Sequence, residues 1–390
     1  MHVAADQIAK LSRALPYWVP LALIPLTVVG AVHGGWTVFL LPVGAWALFI
    51  LLDAITGGTE ANADPSTPDE SLIWYRLITL IWFPVQFTLV MWLVWYVPGA
   101  AHLALWEKLV LFVGMGIIGG TIGINYAHEL MHQRTALERW LSDLILATVM
   151  YSHFRSEHLH VHHPHVGTPR DPTTSRFDES FWWFFPRVVR AYWRSSIAAE
   201  AARLARRGRT AWHISNPFWR YGVLQGACVA LALSLGGWPG LGLFLLQSFV
   251  AIWQLELVNY VEHYGLTRKH LGGGKYESFL PRHSWNSTRQ ASNWLLINLQ
   301  RHSDHHFKPD RRFPLLQVHP LQDAPQLPYG YPVMTLAAMV PPVWRRIMNP
   351  RVEAWRQRYY PEITDWRPYN QGRNPTLAWA PAAPATLGRN

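Results

Sequence analysis

Nine histidines in four groups are the residues of this chain whose type and spacing could hold metal ions. Several are spaced three or four residues apart, which places side chains on one face of a helix. Neutral imidazoles suit iron, copper, zinc or nickel, and nine of them are too many for one ion, so we predict two ions. The groups are His128 and His132; His158, His162 and His163; His263; and His302, His305 and His306.

The spacing also predicts how the rings group. On a helix, His302, His305 and His306 converge on one point. His158 and His162 share a face with His163 beside them, and the intervening His160 points away.

Two other classes of metal protein fit parts of this pattern. Residues 128–132 read H-E-L-M-H and match H-E-x-x-H, the zinc metalloprotease motif, but a protease leaves seven clustered histidines unexplained. A histidine-rich metal transporter would place its histidines along a pore at mid-membrane, not at one membrane face. The only cysteine, Cys228, lies in an apolar run, so neither a disulfide within the chain nor a cysteine-ligated cluster is expected.

Polar residues beside the histidines are candidates for orienting the rings. A ligating histidine usually donates its second N–H to a carboxylate or a carbonyl. The candidates are Glu129, Glu157, Glu262, Asp304 and His283.

Long apolar runs must position these groups. Half of the 390 residues are hydrophobic and only 15% are charged. Six runs approach the roughly 20 residues that a membrane-crossing helix needs, and a soluble protein could hardly bury all six. We therefore predict an all-α polytopic membrane protein with a helical histidine-rich region. The predicted spans are 17–32, 36–56, 76–98, 106–127, 218–236 and 239–260.

The basic residues predict the orientation. A net charge of +10 could indicate nucleic acid, but the arginines lie between apolar spans, which favours an excess of positive charge on the cytoplasmic side. Segment 128–217 carries a dozen arginines, whereas the turns near 33–35, 98–105 and 236–239 carry no Lys or Arg. With six spans, both termini and the histidines are then cytoplasmic, and no nucleic acid partner is expected.

We expect three parts along the chain. Residues 1–16 form a cytoplasmic N-terminal segment, and residues 17–365 form the membrane domain, with cytoplasmic parts 128–217 and 261–365. Residues 366–390 are rich in Pro and Ala and are predicted to be a flexible tail or linker.

Longer motifs narrow the class. The boxes H-x3-H, H-x3-HH and H-x2-HH resemble those of the membrane di-iron family of fatty acyl desaturases, fatty acid hydroxylases and alkane hydroxylases. Four motifs in the same order resemble the bacterial alkane 1-monooxygenases more specifically. They are T-P-R-D-P-T-T-S-R at 168–176, N-Y-V-E-H-Y-G-L at 259–266, H-S-W-N-S at 283–287 and L-Q-R-H-S-D-H-H at 299–306.

This resemblance implies a six-helix enzyme of the bacterial inner membrane that binds two non-haem iron ions through the nine histidines. It implies hydroxylation of the terminal methyl group of medium-chain n-alkanes with O2 and with electrons from rubredoxin, which an NADH-dependent reductase supplies. Rubredoxin holds its iron with four cysteines, so it must be a separate protein or a domain once fused to the tail. A desaturase or fatty acid hydroxylase is the nearest alternative. One departure is His160-Val161, where many relatives have a glycine before the paired histidines.

An alkane partitions into the bilayer, so we expect a slot between the spans that leads to the metal. Small residues allow close approach of a substrate, although plain helix packing explains them equally well. The candidates for the pocket are Gly44, Ala45, Asn125 and Leu130.

Overall fold

The computed structural model of this chain describes residues 2–375. Within that range, helices dominate and two short strands are the only sheet, so the predicted all-α class is confirmed. Five helical runs of the described residues are long and apolar enough to cross a membrane, which fits an integral membrane protein. They are Asp6–His33, Gly35–Thr56, Asp69–Gly99, Leu105–Met131 and Pro217–His263.

The predicted fifth and sixth spans are joined in one 47-residue run, Pro217–His263, so the structure has five runs where the sequence predicted six. Its one non-helical residue is Gly237, with φ 60° and ψ −160°. This backbone region is essentially restricted to glycine, and it bends the run in the middle. Cys228 is buried in the first half of this run.

The first four runs contain short segments that are not α-helical. The first comprises His2–Ala14, the 3-10 segment Leu15–Ala22 and Leu23–His33. The second comprises the 3-10 segment Gly35–Phe39, the π segment Leu40–Ala45 and Trp46–Thr56. The third comprises the 3-10 segment Asp69–Leu72 and Ile73–Gly99, and the fourth comprises Leu105–Ile118, the π segment Gly119–Ile124 and Asn125–Met131. The predicted N-terminal segment 1–16 is thus continuous with the first helical run over its described residues.

The two ends of this helical bundle differ. At one end are the connecting turns: His102 Nε2 lies 3.0 Å from the carbonyl of Ala31, and Gly236 packs against the backbone of Val94. At the other end, which we call the polar end, the Tyr17 hydroxyl donates to Asn298 Oδ1 at 3.1 Å. Pro217 and His263 both lie at the polar end, because the bend at Gly237 returns the run to it.

Shorter elements cover the polar end. The strands His270–Gly272 and Lys275–Tyr276 pair antiparallel, with His270 opposite Tyr276. The helices are Ala136–Thr148, Phe154–Glu157, His163–His165, Phe181–Ala205, Gln290–Leu295, His302–Phe307, Tyr331–Ala338, Pro341–Tyr359 and Arg367–Asn370. A π segment spans His158–His162, and 3-10 turns span Pro281–His283 and Phe313–Leu315.

Packed structure continues beyond the predicted boundary at residue 365. The Arg356 guanidinium lies 4.3 Å from the centre of the Trp366 ring, and the Tyr369 hydroxyl accepts a hydrogen bond from the His270 N–H at 3.1 Å. The first part of the predicted tail is therefore held against the polar end by aromatic contacts. Residues 376–390 of that prediction lie outside the described residues.

The fourth run and Pro217–His263 approach each other closely. A Cβ added to Gly116 would lie 2.5 Å from the Cβ of Val250, and one added to Gly120 would lie 2.5 Å from the carbonyl oxygen of Ala251. Glycine is therefore needed where the two backbones meet. This packing brings the polar ends of both runs together, where His128 and His263 are located.

Candidate metal centre

All nine predicted histidines meet at the polar end, in two adjacent groups. Within each group, one ring nitrogen of every member lies within 4.8 Å of those of the others. The five-histidine cluster contains His128, His132, His158, His163 and His305. The four-histidine cluster contains His162, His263, His302 and His306.

The spacing of the Nε2 atoms suits shared ions. His158 and His163 have these atoms 2.9 Å apart, and His302 lies 3.2 Å from His263 and 3.1 Å from His306. Metal–nitrogen bonds of about 2.0–2.1 Å at right angles leave two donor atoms roughly 3 Å apart. The donor sets therefore fit one ion in each cluster.

The grouping of the second box differs from the prediction. His158 shares a cluster with His163, five residues later, whereas His162 belongs to the other cluster. The cause is the π segment His158–His162, in which the His163 N–H donates to the His158 carbonyl. This wider turn places residues five apart on one side of the helix. His160 is exposed and lies outside both clusters, as predicted.

The third box is divided in the same way. His302 and His306 are four residues apart and share the four-histidine cluster, while His305 faces the five-histidine cluster. The prediction that these three rings converge on one point is therefore wrong. The short helix His302–Phe307 instead lies between the two groups and contributes to both.

Burial keeps six of these imidazoles neutral. It lowers the pKa of His132 to about 3. Burial also takes the pKa well below the usual histidine range in five further rings, and neighbouring imidazoles disfavour protonation in addition. These rings are His158, His163, His302, His305 and His306. A neutral imidazole has a free nitrogen lone pair, which is the form that binds a metal.

Two carboxylates contact rings of the four-histidine cluster. Asp171 Oδ2 lies 3.1 Å from His162 Nδ1, and Glu262 Oε2 lies 3.4 Å from His302 Nε2. Asp171 is itself held by hydrogen bonds from the Thr173 N–H at 2.9 Å and the Thr174 hydroxyl at 2.7 Å. Burial opposes ionisation of Asp171, but its contacts with His162 and Thr174 outweigh this effect and lower the pKa of the carboxyl. Asp171 was not among the predicted site residues, although the motif at 168–176 that contains it was a signal.

The other four residues predicted to orient the rings form no hydrogen bond to a clustered imidazole. Glu157 is fully buried, and its carboxyl oxygens have no hydrogen-bond partner among the described residues. The side chains of the remaining three form hydrogen bonds to residues other than the clustered histidines, because they point away from those rings. Their partners are Gln133 for Glu129, Arg311 and His319 for Asp304, and Tyr360 and Glu277 for His283.

The two clusters differ in exposure. Every member of the four-histidine cluster is at most 7% exposed. In the five-histidine cluster, His132 and His163 are partly exposed at the surface of the polar end. An ion in this cluster would therefore be closer to the aqueous phase.

A narrow apolar cavity of about 40 Å³ lies between the helical runs and is bordered at the polar end by Leu295, Leu296 and Tyr331. Its walls are mostly aliphatic side chains, and Tyr331 belongs to its lining. The Tyr331 hydroxyl donates to Glu262 Oε1 at 3.0 Å, and Glu262 lies beside His302. A narrow apolar space of this kind suits an unbranched hydrocarbon chain.

Only one of the four predicted pocket residues lines this cavity. Ala45 does so, whereas the neighbouring Gly44 is exposed on the outside of its helix. Asn125 and Leu130 are buried outside the lining, and the Asn125 side-chain amide donates to the Leu296 carbonyl at 2.7 Å. Asn125 therefore fixes a wall residue and does not form the wall itself.

Comparison with known proteins places this arrangement in a family. Residues 103–337 match the fatty acid desaturase family. Alkane 1-monooxygenase 2 of Pseudomonas aeruginosa is 39% identical, over 82% of this chain and 85% of its own. Alkane 1-monooxygenase 2 of Alcanivorax borkumensis is 35% identical, over 87% of this chain and 90% of its own. The xylene/toluene monooxygenase hydroxylase component of Pseudomonas putida is 30% identical, over 62% of this chain and 64% of its own. With the paired histidine clusters and the apolar helices, these similarities show that the chain belongs to the alkane 1-monooxygenase family.

Proposed function

We propose that this chain is a membrane monooxygenase that hydroxylates the terminal methyl group of medium-chain n-alkanes at two iron ions. The observation that carries the proposal is the pair of imidazole clusters, linked through Glu262 and Tyr331 to an apolar cavity. The names of the relatives support the substrate. One atom of O2 is inserted into a C–H bond, and the other leaves as water after taking up two electrons and two protons.

The side chains have separate tasks in this reaction. The two irons, when bound, supply the activation of O2 that an unreactive methyl C–H bond requires. The nine histidines would hold the ions, and Asp171 fixes the tautomer and the orientation of His162. The walls around Ala45 are mostly aliphatic, so they would present the chain end-on without a charged group to hold a polar head.

We further propose six membrane crossings, with both ends of the protein and the metal centre on the cytoplasmic side of the inner membrane. The bend at Gly237 lies at the same end of the bundle as the turn at Gly34, which supports a crossing before it and another after it. The basic residues are concentrated on the polar end, in agreement with the positive-inside rule.

The electrons have to reach the centre from outside this sequence. The one cysteine of the 390 residues is buried in an apolar run, so this sequence cannot build a four-cysteine iron site. We propose rubredoxin as the donor, reduced by an NADH-dependent reductase. Two one-electron transfers are then required for each alkane that is oxidised.

Metal analysis combined with a product assay tests this function. We expect about two irons per purified chain, and conversion of octane to 1-octanol with rubredoxin, its reductase, NADH and O2. The variants His305→Ala and His302→Ala, one from each cluster, should each lose iron. A protein that lacks iron after careful purification, or that oxidises acyl-CoA in preference to octane when both are supplied, would refute the proposal.

A further inference from the structure

A wide groove of about 920 Å³ opens on the polar end beside the metal centre. It lies between segment 167–179 and the side of helix Phe181–Ala205 that includes Arg190 and Arg194, with Tyr369 and Gly372 at its border. Two acidic residues and five arginines line it, and we call it the basic groove. The arginines are Arg170, Arg176, Arg187, Arg190 and Arg194.

Most of this positive charge has no partner within residues 2–375. Arg187 is paired with Glu179 at 2.8 Å, and the carboxylate of Asp171 is committed to His162. The remaining four arginines form no ion pair with a described carboxylate, and Arg190 and Arg194 are exposed. The groove therefore presents concentrated positive charge to a partner from the aqueous phase.

The wall of the groove belongs to the segment that carries two of the histidines. His163 is partly exposed and begins the turn that leads to Gly167 and Thr168 on the rim. Asp171 lines the groove and also hydrogen-bonds to Nδ1 of His162 at 3.1 Å. Asp171 therefore connects the wall of the groove to the four-histidine cluster through a single hydrogen bond.

We propose that the basic groove is the docking surface for an acidic one-electron carrier protein. This inference rests on the proposed function, because that reaction consumes two electrons and this sequence has no cysteine cluster to supply them. In each docking event the carrier's ferrous iron is oxidised to ferric and one electron passes into this protein, so two successive events serve one O2. An anionic lipid headgroup would also complement the positive charge of the groove. It cannot donate an electron, however, and the contact between Asp171 and His162 would serve no purpose in binding it.

Charge reversal in the groove tests the docking. The double variant Arg190→Glu and Arg194→Glu should lower the second-order rate constant for oxidation of reduced rubredoxin at least tenfold at low salt. The difference should shrink as salt screens the charges. The matched control is Arg206→Glu with Arg207→Glu, which makes the same charge change at exposed residues just past the end of this helix, roughly 20 Å away. Stopped-flow absorbance of rubredoxin gives the rates, and iron content checks that every variant is folded.

The outcomes separate this inference from the proposed function. If the wild-type protein holds two irons and oxidises octane while the groove variant and the control accept electrons equally fast, only the docking proposal fails. If the wild-type protein holds no iron, the proposed function itself fails. The same assay in nanodiscs with and without anionic lipid identifies a lipid site. A groove variant that loses its dependence on anionic lipid but binds rubredoxin normally would overturn the docking proposal.

Discussion

At the scale of single residues, the Asp171–His162 hydrogen bond determines how one ligand ring is presented. Asp171→Asn preserves the size of the side chain but weakens the acceptor for the His162 N–H. Loss of such an orienting carboxylate typically costs about 10–100-fold in metal affinity, and we expect that loss here. Iron competition against a chelator at equilibrium measures it. The control is Asp178→Asn in the same segment, which is exposed and paired with Arg345, and which should leave iron affinity unchanged.

Adjacent positions on the second span test the role of the apolar cavity. Ala45→Leu fills the cavity, whereas Gly44→Leu adds the same side chain on the exposed side of the helix. We expect the ratio of decane to hexane oxidation to fall about tenfold in the Ala45 variant, the order of effect that a misfit of one or two methylenes produces. Gas chromatography of the alcohols measures the ratio. An equal change in the Gly44 variant would show that the cavity does not hold the alkane.

The sequence identifies the nine histidines but only Glu262 of the two carboxylates that contact them. Histidines at helical spacing can be recognised in the sequence. A carboxylate that orients a ring can be recognised only from its position in the folded structure. Glu129 follows His128 directly, yet adjacent helix residues point about 100° apart, and Glu129 bonds to Gln133 instead. Asp171 lies nine residues after His162 and returns to it through a turn.

At the scale of elements, the π segment His158–His162 decides which histidines share a cluster. Periodicity assumes a regular α-helix, and by that rule His162 rather than His163 shares a face with His158. Pro164 follows directly and has no N–H to donate to His160, so the regular hydrogen-bond pattern cannot be completed there. The proline was visible in the sequence, but a widened turn is too rare to be predicted from it.

The contact between the fourth run and Pro217–His263 predicts opposite effects for one type of substitution. Gly120→Ala would bring a methyl group to 2.5 Å from a backbone carbonyl, and such overpacking costs about 1–3 kcal/mol. Gly226→Ala meets nothing within 4 Å, and alanine there should stabilise the helix by about 1 kcal/mol. Thermal unfolding in detergent measures both. If both variants shift the melting temperature in the same direction, the close approach is not real.

At the scale of the whole molecule, the unequal exposure of the clusters predicts two phases of iron removal. A membrane-impermeant ferrous chelator should take about one iron per chain quickly, through His132 and His163, and the second much more slowly. We expect this in inside-out vesicles and no loss in right-side-out vesicles, because the polar end is proposed to be cytoplasmic. Absorbance of the iron–chelator complex follows the release. Rapid loss from right-side-out vesicles would reverse the proposed orientation.

Hydropathy located the long apolar runs well, since a run able to cross a membrane is recognised by its length and composition alone. The predicted spans 36–56 and 106–127 agree closely with Gly35–Thr56 and Leu105–Met131. Hydropathy did not show that the last two predicted spans form one helical run with a bend at Gly237. A glycine-rich turn between two helices and a sharp bend within one helix have similar composition. The groove also escaped prediction, as its arginines come from a loop and a helix that only folding brings together.

The burial of Cys228 makes this chain convenient for spectroscopy. Because the single thiol is shielded within a hydrophobic run, thiol-reactive fluorophores and spin labels should not modify the unaltered protein. One engineered cysteine on the rim of the groove would then carry the only probe, and its distance to a labelled carrier could be followed without first removing a native thiol.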